Sequence, residues 1–177
     1  YYYKKTTDLL NTVSLPSSSG YKSTVRNIGS ISNQGVELLI EGDVVQNKDF
    51  GLTLQFNIAH NKNRVEELAD GKDILGTTYS NYGSGSITII REGEPLGAFY
   101  VYKDTGLDEN GSLSYEDMNG DGQYTDTEDR YIAGSPFPDF TYGLNCGIRY
   151  KNWDFNFFLQ GSQGNDVFNL SEMRNYS

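Results

Sequence analysis

Strict alternation of apolar and polar residues marks four stretches of this chain. In 35–46 (GVELLIEGDVVQ), Val36, Leu38, Ile40 and Val44 share one parity, and Glu37, Glu41 and Asp43 the other. In 51–61 (GLTLQFNIAHN), Leu52, Leu54, Phe56 and Ile58 alternate with Thr53, Gln55 and Asn57. In 139–150 (DFTYGLNCGIRY), Phe140, Tyr142, Leu144, Cys146, Ile148 and Tyr150 alternate with Thr141, Asn145 and Arg149. In 153–161 (WDFNFFLQG), Trp153, Phe155, Phe157 and Leu159 alternate with Asp154, Asn156 and Gln160. Successive side chains of a strand point to opposite faces, so each stretch predicts a strand with one apolar and one polar face. The opening YYYKKTTDLL reads as the end of a further strand.

The connections are uneven. Asn47-Lys48-Asp49-Phe50 and Lys151-Asn152 are short polar links, and each predicts an antiparallel hairpin. Residues 10–34 form a longer Ser/Asn/Gly-rich loop, and 62–138 separates two good strands by far more than a routine connection. Such a stretch is functional or has local structure of its own. Short turns at one end and long loops at the other, with strands of about ten alternating residues, characterise transmembrane barrels. Tyr150 and Trp153 flank a tight turn, where an interfacial aromatic girdle belongs. The parity fits a meander in which 51–61 runs outward, 139–150 inward and 153–161 outward. The expected fold is therefore all-β, with antiparallel strands of a transmembrane β-barrel and long extracellular loops. A soluble antiparallel sheet packing its apolar face on a core is the alternative.

Composition narrows the function. The chain has 177 residues, 14% of them aromatic, with 20 glycines and only 36% hydrophobic residues, a mix that favours strands and turns. A net charge of -10 disfavours binding to a nucleic-acid backbone. Cys146 is the one cysteine, which excludes an internal disulfide, and it falls in an apolar row as a small hydrophobe. His60 is the one histidine, expected at a strand's outer rim. No apolar run is long enough for a transmembrane helix. Both ends read as cuts within a longer protein.

The sharpest motif is Asp117-Met118-Asn119-Gly120-Asp121-Gly122-Gln123-Tyr124-Thr125-Asp126-Thr127-Glu128. It fits the calcium-loop spacing D-x-[DN]-x-[DN]-G with an acid at the twelfth position. Calcium takes six to eight hard oxygens. Asp117, Asn119 and Asp121 offer side-chain oxygens, Gln123 its carbonyl, and Glu128 closes the set, with Asp129 as an alternative; Gly122 permits the sharp turn. The same residues also suit a metal-free acidic turn. Tyr79, Tyr82, Phe99, Tyr100 and Tyr102 either stack on sugar rings or pack the long loop on itself, and packing is the expectation. Glu66, Glu67, Glu92, Glu94, Asp104, Asp108 and Glu116 single out no pair suited to glycosidic cleavage, so no enzyme is expected.

Taken together, these residues resemble the SusC/RagA family of TonB-linked outer-membrane transporters. The resemblance rests on YYYKKTTDLL at 1–10, NIGSISNQGVELLI at 27–40 and REGEPLGAFYVYKDTG at 91–106. It continues with DMNGDGQYTDTEDRYIAGSPFPDFTYGLN at 117–145 and YKNWDFNFFLQGSQGNDVFN at 150–169. In the family pattern the acid before the arginine comes one residue sooner than Asp129 does. The resemblance implies that the whole chain, 1–177, is a fragment of a barrel of about twenty-two strands, without its N-terminal plug. It implies an outer-membrane location, a SusD-like surface lipoprotein as lid, and uptake of oligosaccharides or peptides powered through TonB. The competing expectation is a soluble or surface β-rich binding or adhesion module with a structural calcium loop.

Overall fold

In the computed structural model, residues 1–14, 23–27, 29–76, 85–125 and 128–169 are described. Among them the backbone forms strands and turns with no helix. Along the chain the strands are β1 (Tyr2–Thr6), β2 (Leu10–Ser14), β3 (Ser23–Asn27), β4 (Gly29–Gln46) and β5 (Phe50–Leu68). Then come β6 (Ile74–Leu75), β7 (Thr88–Ile90), β8 (Ala98–Tyr102), β9 (Asp104–Leu107) and β10 (Leu113–Tyr115). The last are β11 (Arg130–Gly134), β12 (Phe140–Tyr150) and β13 (Trp153–Gln163). The chain divides into two compact units. Unit 1 is Tyr1–Lys5, Ser32–Asn63 and Phe137–Asn165; unit 2 is Thr6–Ile31, Arg64–Pro136 and Asp166–Ser177.

Unit 1 is built on a five-stranded sheet in the order β1-β4-β5-β12-β13. Its register places the apolar positions of neighbouring strands opposite one another. Leu52, Leu54, Phe56 and Ile58 face Ile148, Cys146, Leu144 and Tyr142. Those same β12 residues pair with Phe155, Phe157, Leu159 and Gly161 of β13. The other face carries Thr53, Gln55, Asn145, Asn156 and Gln160. Thr53 donates to Asp43 and Gln55 to Glu41, which sets the acids of β4 on that polar face as well. Val36, Leu38 and Ile40 therefore join the apolar face. A one-residue slip would exchange the faces of a whole strand, so the matched rows specify the register.

Among the described residues of unit 1, nothing forms a core beneath the apolar face. Val36, Leu38, Ile40, Phe155 and Leu159 are each at least 50% exposed. Cys146 is the sole buried hydrophobic residue among the described residues of this unit. A soluble sheet buries such a face against other elements, whereas exposed apolar rows are the pattern of barrel strands that face lipid.

The tight turns lie where the polar links predict them. Asn47 Oδ1 accepts the amides of Asp49 and Phe50. The Lys151 amide donates to the Asp49 carbonyl at 2.7 Å, tying the two turns together. Lys151 takes the left-handed conformation, with φ 54°, that lets the chain reverse in two residues. At the other end β4 and β5 run further than alternation predicts, from Gly29 and to Leu68 rather than 35 and 61. The cause is polar pairing: Asn63 donates to Asn33 and the Tyr2 hydroxyl to Asn61. The backbone ladder thus continues beyond the last apolar row, where side-chain alternation no longer reports it.

Unit 2 gives the long 62–138 stretch structure of its own. A four-stranded sheet runs in the order β11-β8-β7-β6. Its small core is Ile89, Ala98 and Tyr100, with Ile132 packed against it. The end of β5 is fixed by reciprocal bonds: the Val65 amide donates to Glu94 O and the Gly93 amide to Val65 O, both at 2.9 Å. Two antiparallel pairs, β9 with β10 and β2 with β3, complete the unit's described strands.

Candidate functional site

The acidic loop joins β10 to β11 in unit 2. Its entry is held where the Glu116 amide donates to the Lys103 carbonyl and the two side chains form an ion pair. The Glu116 carboxylate, through that bond, raises the Lys103 pKa above its ordinary value. The first half of the loop then folds on its own carboxylates. Asp117 Oδ1 accepts the Gly120 amide at 2.7 Å, and Oδ2 accepts the Gly122 amide at 2.7 Å. Asn119 Oδ1 accepts the Asp121 amide, and Asp121 Oδ1 accepts the Gln123 amide. Gly122 adopts φ +79°, the left-handed turn the spacing predicts for it.

Glu128 and Asp129 behave differently. Glu128 is exposed and accepts a bond from Asn119 Nδ2 at 3.1 Å. Asp129 is fully buried. Its Oδ1 accepts the Met118 amide at 3.0 Å, and its Oδ2 accepts the amide of Thr125 at 2.7 Å and the hydroxyl at 3.3 Å. One carboxylate thus clamps both limbs of the loop. The Thr125 amide is the main cause holding the Asp129 carboxyl below its usual pKa; the Met118 and Asn119 amides and the Thr125 hydroxyl add to it, against burial.

Arg130, next in sequence, anchors the loop to the unit 2 sheet. It is buried, donates to the Ser86 carbonyl at 2.6 Å, and lies 4.8 Å from the Tyr102 ring centroid. Tyr102 packs on Tyr115 at 5.3 Å, and Tyr115 meets Tyr124 edge-on at 6.3 Å. Asp129 and Arg130 alternate in direction, one gripping the loop and the other the sheet. The sequence reading did not single out Arg130, Tyr115 or Tyr124. The Asp129-Arg130 dipeptide was the available signal, because a buried acid and base side by side are unusual unless both are hydrogen-bonded.

Of the five residues expected to hold calcium, Asp117 accepts the Asp121 amide at 3.3 Å, Asn119 bonds both Asp121 and Glu128, and Gln123 donates its amide to Asp121. Among the described residues, no three or more His, Cys, Asp or Glu side chains gather as a metal-holding group. Other acids serve turns and caps: Glu92 accepts the Leu68 amide, Asp104 that of Gly106, and Asp108 those of Asn110 and Ser112. Tyr100 is buried under Arg91, and Phe99 packs on Phe168, so these aromatics brace the unit. Tyr79 and Tyr82 lie outside the described residues. In unit 1, His60 Nδ1 donates to the Asp139 carbonyl and its ring packs on Phe140, a rim arrangement.

No family model matches the chain. It is 37% identical over 188 residues to TonB-dependent receptor P3 of Formosa agariphila, covering 97% of this chain and 19% of that receptor. It is 35% identical over 176 residues to TonB-dependent receptor SusC of Bacteroides thetaiotaomicron, covering 94% and 17%. Among solved structures, the RagAB peptide transporter superposes with a TM-score of 0.73 at 26% identity, over 89% of this chain and 17% of that one. The RagAB peptide importer in its open-open state gives 0.71 at 25% identity, over 92% and 18%. The chain spans about a fifth of the length of the curated relatives it matches. These relatives are receptors and transporters, not enzymes.

Proposed function

Because the chain is a barrel segment of the SusC/RagA-type TonB-dependent receptors, proteins of the bacterial outer membrane, we propose that it forms wall strands and an extracellular loop of a nutrient transporter. The observation that carries this reading is the coreless sheet of unit 1, whose matched rows put Leu, Ile and Phe on one face and mostly amides and acids, with Leu39, Val45 and Phe158 among them, on the other. Lipid covers the first face and a wet lumen the second, and the closed ladder satisfies the backbone that hydrocarbon cannot. In this reading the substrate is an oligosaccharide or a peptide, import is powered through TonB, and a SusD-like lipoprotein caps the outer mouth. The solved relatives described as a peptide transporter and importer support the peptide arm, and SusC supports the receptor class. The test is growth and uptake by cells whose full-length receptor gene is deleted and then restored. Import of a defined glycan or peptide mixture should fail and recover, and a tagged receptor should pull down a surface lipoprotein encoded with it. Unchanged uptake would remove the transport reading.

The acidic loop belongs to the same proposal. Its hard oxygens at Asp117, Asn119 and Asp121, the Gln123 carbonyl and the Glu128 carboxylate fit calcium in kind, and the Gly122 amide bonded to Asp117 shapes the turn in advance. Calcium bound there would stiffen the loop at the substrate or lid side. Calorimetry on the full-length receptor should show a calcium site that D117N/D121N abolishes. An identical titration from the variant would assign the loop to its own hydrogen bonds alone.

A further inference from the structure

The apolar face of the unit 1 sheet carries charge of one sign only, whereas the polar face mixes the acids with Lys4 and Arg149. The face of β1 is fixed by Tyr2. Its hydroxyl donates to Asn61 at 2.8 Å, and its ring lies where a Cβ on Gly35 would be. Gly35 and Asn61 belong to the polar face, so Tyr1, Tyr3 and Lys5 lie on the apolar one. Lys62 stands between Asn61 and Asn63, which are both bonded on the polar face, so it too points outward. Both lysines are exposed. Among the described strand residues of unit 1, the apolar face carries no carboxylate. Its charged residues are Lys5 and Lys62, with His60 one step below Lys62. Glu37, Glu41, Asp43 and Asp154 all take the polar face.

The position is as specific as the sign. Lys5 and Asn63 each end a stretch of unit 1, so Lys5 and Lys62 mark the end at which the chain leaves for unit 2. Below His60 the face is hydrocarbon: Ile58, Phe56 and Leu54 on β5, and Leu38 and Ile40 on β4. The opposite end is different, because Lys48 and Lys151 sit in turns beside Asp49, whose carbonyl takes the Lys151 amide. A ligand fitting the unit 2 end must therefore be apolar along its length and anionic at its outer tip. Free phosphate lacks the first property and an acidic peptide lacks the acyl chains.

We infer that Lys5 and Lys62 bind the phosphate groups of the phosphorylated glycolipid that forms the outer leaflet, whose acyl chains lie on the apolar rows below. This rests on the barrel reading. A lysine above an apolar row extends its stem along that row and places its ammonium in the headgroup layer, where each basic residue adds attraction to anionic lipid.

The test uses the purified full-length receptor in detergent, titrated with bis-phosphorylated lipid A and with its dephosphorylated form, and read by native mass spectrometry. The wild type should prefer the phosphorylated form. K5Q/K62Q should weaken that binding by about thirtyfold and leave the dephosphorylated lipid unchanged. K5R/K62R should restore it, and K48Q/K151Q should leave it intact. Heat-modifiable mobility confirms that each variant folds, and K62Q alone serves if the double variant does not. Undiminished binding by a folded K5Q/K62Q, or equal loss in K48Q/K151Q, overturns the inference while the barrel stands. A wild type that needs no detergent would instead overturn the barrel reading beneath it.

Discussion

Units 1 and 2 use the same residue types in opposite ways. In unit 2, Ile89, Ala98 and Tyr100 form a small buried core, the arrangement water imposes, and the buried Asp129 and Arg130 are hydrogen-bonded. In unit 1 large apolar side chains such as Val36, Leu38, Ile40, Phe155 and Leu159 are exposed, and Gln55, Asn57, Thr53 and the acids of β4 share the sheet's other face with Leu39, Val45 and Phe158. Both arrangements come from alternating sequence. Alternation reports only that two faces differ; the kinship with outer-membrane TonB-dependent receptors points to the solvent each meets. The two units also differ in how their ends are fixed. Unit 1 relies on long in-register ladders, unit 2 on buried polar clamps at Asp129 and Arg130.

Substitutions can break this contrast at either unit. The largest effect is expected from Ile89→Ala, which empties the small core of unit 2 at a cost of about 2–5 kcal/mol. Hydrogen exchange on the full-length receptor should then rise across β6, β7 and β8 while β12 and β13 stay protected. Next come Leu144→Arg and Asn145→Arg, neighbours on opposite faces of one strand. The first places a cation toward lipid at mid-strand, a loss of about 2–4 kcal/mol, and should deplete the heat-modifiable form; the second should be tolerated. Equal behaviour of the pair would mean that the faces are misassigned.

Asp129→Asn is the sharper probe of unit 2. It removes the charge that holds Met118 and Thr125, and limited proteolysis between 117 and 130 should accelerate several-fold, while Glu128→Gln changes little. The pH dependence follows from the lowered Asp129 pKa. A carboxylate with a folded pKa below its unfolded value contributes fully above that unfolded value, about 3.9, and loses the contribution as pH falls through the folded pKa. Protection of the loop should be equal at pH 7 and pH 5 and fall only in the acid range below, and Asp129→Asn should abolish that fall. The smallest effect is expected from Thr53→Val, which removes the exposed bond to Asp43 and should shift stability by no more than about 0.5 kcal/mol.

The strands of unit 1 were legible because their faces are matched residue by residue. Phe140 to Tyr150 and Trp153 to Leu159 alternate with one break, Phe158 in the polar row, and the structure pairs them in full. The extensions of β4 and β5 were not legible, since Asn33 and Asn63 pair through amides, which carry no hydrophobic period. The sheet of unit 2 was also hidden. Its strands are short, Ile74–Leu75 being two residues, and they join partners distant in sequence. In the acidic loop, the spacing marked the residues that fold the first half, Asp117, Asn119, Asp121 and Gly122. It did not assign the clamp to Asp129, one residue past the motif, because that role depends on the amides of Met118 and Thr125 meeting in space. Arg130 depends likewise on Ser86 and Tyr102, both far away along the chain.

In the proposed barrel the apolar face of unit 1 meets lipid and the polar face meets water, an assignment open to direct measurement. It is tested most directly by placing single spin labels at successive positions 153 to 160 of the full-length receptor in bilayers, in a background without reactive cysteines. Collision rates with oxygen and with a water-soluble nickel complex are then compared. Access should follow a period of two: oxygen reaches labels at 153, 155, 157 and 159, and nickel those at 154, 156, 158 and 160. Nickel access to both sets, or oxygen access to the even positions alone, would contradict it.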